Sequence, residues 1–181
     1  MSDPSRVALG LLRQGDLDGA QAMFEYALGV SVATFGDEDP SIATELANLG
    51  NLLAERHDLV GARGYLERAL ALHERALGPD DPEVAMDLGN LGLVVLDLGE
   101  VSAARGLFDR ALRIQLTTFG AEHPNTGLAM ANLASAMRQA GNVAAARALL
   151  ERAEEIFVRR LGEHYPATQV VRSTLLDLRR C

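Results

Sequence analysis

Asn48, Asn90 and Asn132 recur at intervals of 42 residues and are the polar residues best spaced for shared chemistry. A primary amide offers two donors and two acceptor lone pairs. Repeated at a constant step on equivalent helices, such amides could hold an extended main chain without reading its sequence. The competing role is an inter-helix hydrogen bond that fixes one unit on the next. The residues alone leave both roles open.

Other reactive residue types are present in patterns that carry less chemistry. The four histidines, His57, His73, His123 and His164, form no H-x-x-x-H or H-x-H pair, and no carboxylate pair completes a triad with them. They read as capping and turn residues, and no metal site is expected. Asp37-Glu38-Asp39 and Asp80-Asp81 read as helix N-terminal acids favoured by the dipole. Arg63, Arg105 and Arg147 each lie four residues before an acid (Glu67, Asp109 and Glu151), the spacing of surface ion pairs worth a few tenths of a kcal/mol. No phosphate-binding G-x-x-x-x-G-K-[ST], dinucleotide G-x-G-x-x-G or nucleophile-bearing G-x-S-x-G occurs. The chain therefore shows no catalytic constellation and calls for no cofactor. Cys181, the single cysteine, excludes an intrachain disulfide and a cysteine zinc cluster, and is expected to be an exposed thiol.

The elements that position these residues follow from composition and period. The 181 residues include 28 Ala, 30 Leu and 17 Arg but no Lys, against 25 Asp and Glu, for a net charge of −8. Ala, Leu, Arg and Glu head the helix-propensity ranking, and β-branched and aromatic residues are few, so a strand-based fold is not expected. A net acidic chain without a basic stripe is a poor partner for nucleic acid. The first residues carry no apolar run and no stretch approaches 18 apolar residues, so no membrane association is expected and the location expected is cytoplasmic. Charge is uneven: residues 1–123 hold nine Arg and 20 acids, whereas 124–181 hold eight Arg and five acids. That polarity would steer an acidic ligand toward the C-terminal end or favour head-to-tail stacking, unless it is mere drift on a solvated surface.

Five series share the 42-residue step: Pro40, Pro82, Pro124 and Pro166; Gly36, Gly78, Gly120 and Gly162; Ala20, Ala62, Ala104 and Ala146; Ala27, Ala69, Ala111 and Ala153; and Val7, Leu49, Leu91, Leu133 and Leu175. Each proline suits a first helical position, where its missing N–H costs nothing. Apolar residues then recur at helical spacing until a break at Gly15-Asp16, His57-Asp58, Gly99-Glu100 and Gly141-Asn142. The pattern predicts helix pairs at 5–14 and 17–35, 40–55 and 58–77, 82–98 and 101–119, and 124–140 and 143–161, with a final helix at 166–180. Ala8, Gly50, Gly92 and Ala134 fall where paired helices approach closely; Phe24, Leu66, Phe108 and Leu150 fill the space between units.

Asn48-Leu49-Gly50, Ala62-Arg63, Leu66-Glu67-Arg68-Ala69-Leu70 and the stretch from Gly78 to Pro82 together resemble a tetratricopeptide repeat. The 42-residue step is similar to the lengthened kinesin-light-chain type. The resemblance covers residues 4–180. It implies an all-α, right-handed superhelical solenoid forming a single domain over 1–181. Four helix-turn-helix units would span about 4–36, 40–78, 82–120 and 124–162, with a capping helix at 166–180.

The same resemblance implies that first helices line a concave groove that binds peptides or protein segments, with the asparagines gripping the main chain. Groove neighbours would then be Arg6, Leu9 and Arg13; Thr44, Asn51 and Glu55; Met86, Leu93 and Asp97; Leu128, Ser135 and Arg138; and Val170, Thr174 and Asp177. Related modules that clamp a C-terminal carboxylate place basic residues where this chain has Met86 and Asn90, so that clamp is not expected. The leading expectation is a non-catalytic adaptor or scaffold for a protein or peptide partner. The alternatives are a structural module that self-associates weakly through its ends, a sensor segment of a larger signalling protein, and, more remotely, an enzyme without a recognisable motif.

Overall fold

The computed structural model describes residues 3–178, so Arg179, Arg180 and the thiol expected at Cys181 lie outside the described residues. Within them the chain is a succession of helices: α1 (Pro4–Arg13), α2 (Leu17–Phe35), α3 (Ala43–Glu55), α4 (Leu59–Leu77), α5 (Pro82–Asp97), α6 (Val101–Phe119), α7 (Pro124–Gln139), α8 (Val143–Leu161) and α9 (Pro166–Leu178). The stretch expected to open α3 at Pro40 is instead a single 3₁₀ turn, Pro40–Ile42, started by the Asp39 carboxylate accepting from Ser41 N at 2.9 Å. No strand occurs among the described residues.

Two compact units divide the chain within α5, one up to Val94 and the other from Val95. In the N-terminal unit α1 packs on α2, α2 on α3 and α3 on α4; in the C-terminal unit α6 packs on α7, α7 on α8 and α8 on α9. Side-chain size sets these distances. Ala20, Ala62, Ala104 and Ala146 are fully buried, and the large residues Phe24, Leu66, Phe108 and Leu150 four positions on are buried too. One series departs from expectation. Val7 is 39% exposed, although Leu49, Leu91, Leu133 and Leu175 are buried.

Side-chain caps fix where α2, α4 and α8 begin, whereas Glu100 before α6 makes no such bond. Asp16 and Asp58 accept from Gly19 N and Gly61 N at 2.9 and 3.0 Å, and Asn142 from Ala145 N at 3.4 Å. The residue before each cap reverses the chain in the left-handed region, at φ +80° for Gly15, +84° for Gly99 and +79° for Gly141. In the second repeat this position is His57, at φ +63°. An L-residue there crowds its Cβ against the carbonyl, at about 1–2 kcal/mol. His57→Gly should therefore raise unfolding free energy by about 1 kcal/mol, net of the extra entropy glycine loses on folding. Urea denaturation checks this; a neutral or destabilising result would mean that the His57 side chain holds the turn.

The surface charges sort differently from the simple i,i+4 scheme. Arg63 and Arg105 do pair with Glu67 at 2.7 Å and Asp109 at 3.6 Å. Arg147 instead donates to the Leu178 carbonyl at 2.9 Å, satisfying a C-terminal group of α9. Asp37 and Glu38, expected as dipole-stabilised acids, instead pair across the repeat with Arg68 and Arg75 of α4. Glu122 of the C-terminal unit is shared in the same way by Arg152 and Arg159 of α8. These two turns are thus pinned to α4 and α8 by partly exposed pairs, individually worth about 1 kcal/mol or less.

Candidate functional site

Helical spacing sorts the candidate residues onto one face of each first helix. On α5, Met86, Asn90 and Leu93 fall at i, i+4 and i+7, as Asn48 and Asn51 do with Thr44 on α3. Met86 and Leu93 are exposed, Asn90 and Asn48 are half-buried, and Asn51, Arg6 and Arg13 are exposed. These seven residues belong to the N-terminal unit. In the C-terminal unit α7 presents Leu128, Asn132 and Ser135 at the same spacing, with exposed Arg138 one turn further on.

The C-terminal unit brings several of these residues together around a cavity of about 310 Å³. Leu128, Ala131, Asn132 and Ser135 of α7 form one wall, and Ala167, Val170, Val171 and Thr174 of α9 form the other. Leu150 and Phe157 of α8 make the floor. Arg138 is not among the lining residues, and none of the ten is charged. Both hydroxyls are turned back onto their own helices. Ser135 Oγ donates to Ala131 O at 3.2 Å, and Thr174 Oγ1 donates to Val170 O at 3.0 Å. Their remaining surface is chiefly methyl and methylene. Among the described residues no hydrogen bond engages the Asn48, Asn90 or Asn132 amides. The Asn132 amide therefore supplies the cavity's uncommitted donors and acceptors.

The pattern reading missed one polar constellation. His73, read as a turn or capping residue, sits near the end of α4 with its side chain only 13% exposed. Its Nδ1 donates to Oδ2 of Asp87 on α5 at 2.6 Å, and Asp87 is buried. The hydrogen bond to Asp87 raises the imidazole above its ordinary value of 6.5, burial opposes the shift, and the charges of Asp87, Glu83 and Asp81 reinforce it. The signal that could have found the pair is a 14-residue offset: Ser31 and Glu45 occupy equivalent positions one repeat earlier and are also bonded, at 3.4 Å. His123 does behave as a cap, accepting from Asn125 N at 3.2 Å, and its ring stacks on Phe119 with centroids 4.6 Å apart. Among the described residues no three His, Cys, Asp or Glu side chains gather as metal ligands would.

The tetratricopeptide repeat family matches residues 41–117 and 88–159, together well over half of the chain. The chain belongs to the tetratricopeptide repeat family. In fold its repeats are similar to those of kinesin-light-chain-like structures. Solved structures with this fold include nearly identical repeats from a putative kinesin light chain of Podosopora anserina. That structure is 23% identical, covers 99% of this chain and 88% of its own, and has a TM-score of 0.78. A single-residue variant of the same repeats, also 23% identical over the same shares of both chains, gives 0.79. BtubC (BKLC) from P. vanneervenii is 27% identical over 90% of this chain and 65% of its own, with a TM-score of 0.78. No curated protein matches this tetratricopeptide repeat chain. Such repeats support a protein-interaction scaffold in general, and among the described residues no helix is long and apolar enough to cross a membrane.

Proposed function

We propose that the protein is a non-catalytic adaptor that holds an extended segment of a partner protein along its first helices. In this reading the C-terminal cavity takes one apolar side chain of that segment, and Asn132 grips the main chain beside it. The observation that carries the reading is the cavity itself: about 310 Å³, no charged lining residue, and an amide free for hydrogen bonding. Such a site rewards a Leu-, Met- or Phe-sized side chain through area removed from water, and penalises a charged one by desolvation. Asn48 and Asn90 would play the same part in the N-terminal unit, flanked by Arg6, Arg13, Asn51, Met86 and Leu93, as Arg138 would near Asn132.

A displayed library of extended peptides, screened against the full chain, tests this reading. Selected peptides should share an apolar position, and Leu128→Asp should abolish the selection. Asn132→Ala should weaken a selected peptide by about 0.5–1.5 kcal/mol, or about 2–10-fold, with the melting temperature unchanged. If Asn132→Ala instead lowers stability and leaves affinity per folded molecule unaltered, the amide is structural and the grip is wrong.

Self-association is a second reading, favoured by one feature of α2. Val30 is 46% exposed, whereas its equivalents Leu72, Ile114 and Ile156 are buried; Tyr26, one turn earlier, is exposed too. Sedimentation over a concentration series distinguishes this reading, because Tyr26→Arg should keep a self-associating chain monomeric.

A further inference from the structure

Corresponding positions can be compared from one repeat to the next. Residues 31, 73, 115 and 157 are equivalent on second helices, and 45, 87, 129 and 171 are equivalent on the first helices that follow. Ser31 bonds Glu45 and His73 bonds Asp87. Gln115 then corresponds to Ala129, and its Oε1 is buried without a partner. Phe157 and Val171 belong to one apolar cluster. In this series only the His73–Asp87 position combines a group that titrates near neutral pH with a buried carboxylate.

The placement of Asp87 couples it to the groove face. It adjoins Met86 and lies three residues before Asn90, so whatever positions Asp87 positions both. A carboxylate with 5% side-chain exposure needs a donor or a cation, and His73 supplies it at 2.6 Å. We propose that the His73–Asp87 pair is a pH-sensitive clamp that holds α5, and with it Met86 and Asn90, against α4. Its effect on partner binding rests on the adaptor reading above; the clamp itself does not.

With the ring cationic, the contact is a charge-assisted hydrogen bond. After deprotonation Nδ1–H can still donate, but the charge attraction is gone and Asp87 stays buried. The other charges acting on the ring are Glu83 in the first turn of α5 and Asp81 just before it, both favouring the cation. Toward α3, Glu45 Oε1 accepts from Ser31 while its Oε2 is buried without a partner, and Asp37 and Glu38 of the preceding turn are held by Arg68 and Arg75. On α4 itself Glu74 and Arg75 follow the histidine in sequence. Because the folded value is raised above 6.5, the stabilisation is fully present below the unfolded value and is lost as pH rises through the folded one.

The test is a series of thermal melts of the full chain between about pH 5.5 and pH 9, wild type beside His73→Gln, with NMR titration of the wild-type ring. Glutamine can donate a hydrogen bond but carries no titrating charge. The wild-type ring should titrate above about 6.5, and across that titration the wild type should lose about 2–4 °C more than the variant. Protection of α5 amides, corrected for the intrinsic rise of exchange with pH, should fall over the same range in the wild type but not in His73→Gln. Parallel melting profiles, or a ring that titrates at or below the ordinary value, would overturn the clamp. Should His73→Gln fail to fold, the ring titration alone decides, and Asp87→Asn should return the ring toward its ordinary value. Affinity for a library-selected peptide at one fixed pH tests the adaptor reading separately, and its failure would leave the clamp standing.

Discussion

Phe157→Ala should cost about 3–5 kcal/mol and lower the melting temperature by on the order of 10 °C. Phe157 is 2% exposed and sits in the cluster formed by Ala134, Ala146, Leu150, Ala153, Ile156, Val171, Leu175 and Leu178, which joins three helices of the C-terminal unit. Removing the ring leaves a void that α7 and α9 can close only by moving toward α8. The ring also explains a glycine. A Cβ at Gly127 would lie 2.8 Å from Phe157 Cε1, so the α7 backbone passes directly over the ring edge. The two positions should therefore be coupled. Gly127→Ala should destabilise the wild type, yet in the Phe157→Ala background it should recover about 1 kcal/mol of helix propensity. Thermal melts of the wild type and the three variants complete the cycle. Additive effects would mean that the ring and Gly127 do not compete for the same space. Because Phe157 also floors the 310 Å³ cavity, the truncated variant should select larger apolar side chains from a peptide library.

Gly50→Leu should destabilise the N-terminal unit by about 1–3 kcal/mol or more. Gly50 is buried in the middle of α3, where glycine alone sacrifices about 1 kcal/mol of helix propensity. A Cβ there would stand 2.7 Å from Leu66 Cγ and 3.2 Å from the Ala62 carbonyl oxygen. Neither neighbour can yield cheaply, since Leu66 and Ala62 are fully buried and the oxygen belongs to the α4 backbone. The glycine thus trades local propensity for close approach of α3 and α4. Gly29 on α2 provides the control: it is exposed, and a Cβ there would meet nothing within 4 Å. Gly29→Ala should stabilise by about 0.4–1 kcal/mol, through propensity and reduced freedom of the unfolded chain. Urea denaturation of both variants should show opposite signs. Equal effects would mean that spacing between α3 and α4 does not depend on residue 50.

The period, the helix bounds and the buried small residues were legible in the sequence because they are local or strictly repeated properties. Helical spacing places Leu46, Leu49 and Leu53 on an inward stripe, and Asp16, Asp58 and Asn142 cap whatever helix follows them, wherever it then packs. The partners joined between elements were not legible. Asp87 looks like any surface acid of an amphipathic helix until α4 places His73 2.6 Å away. Asp37 and Glu38 could as well have served a helix dipole; they meet Arg68 and Arg75 because those arginines, on the second helix of the repeat that follows, reach back to the turn. Arg147 has an acid four residues on, yet its guanidinium reaches the end of α9, which offers a carbonyl with no intrahelical partner. Val7 keeps the apolar identity of its series yet is 39% exposed, where Leu49 is buried. The candidate site divides along the same line. Repetition in the chain singled out Leu128, Asn132 and Ser135, while tertiary packing added the Phe157 floor and the α9 wall and turned the two hydroxyls away. A one-dimensional pattern specifies which face of a helix is apolar; which groups from other helices arrive at that face depends on interhelix distance and side-chain reach, and these exist only in the packed molecule.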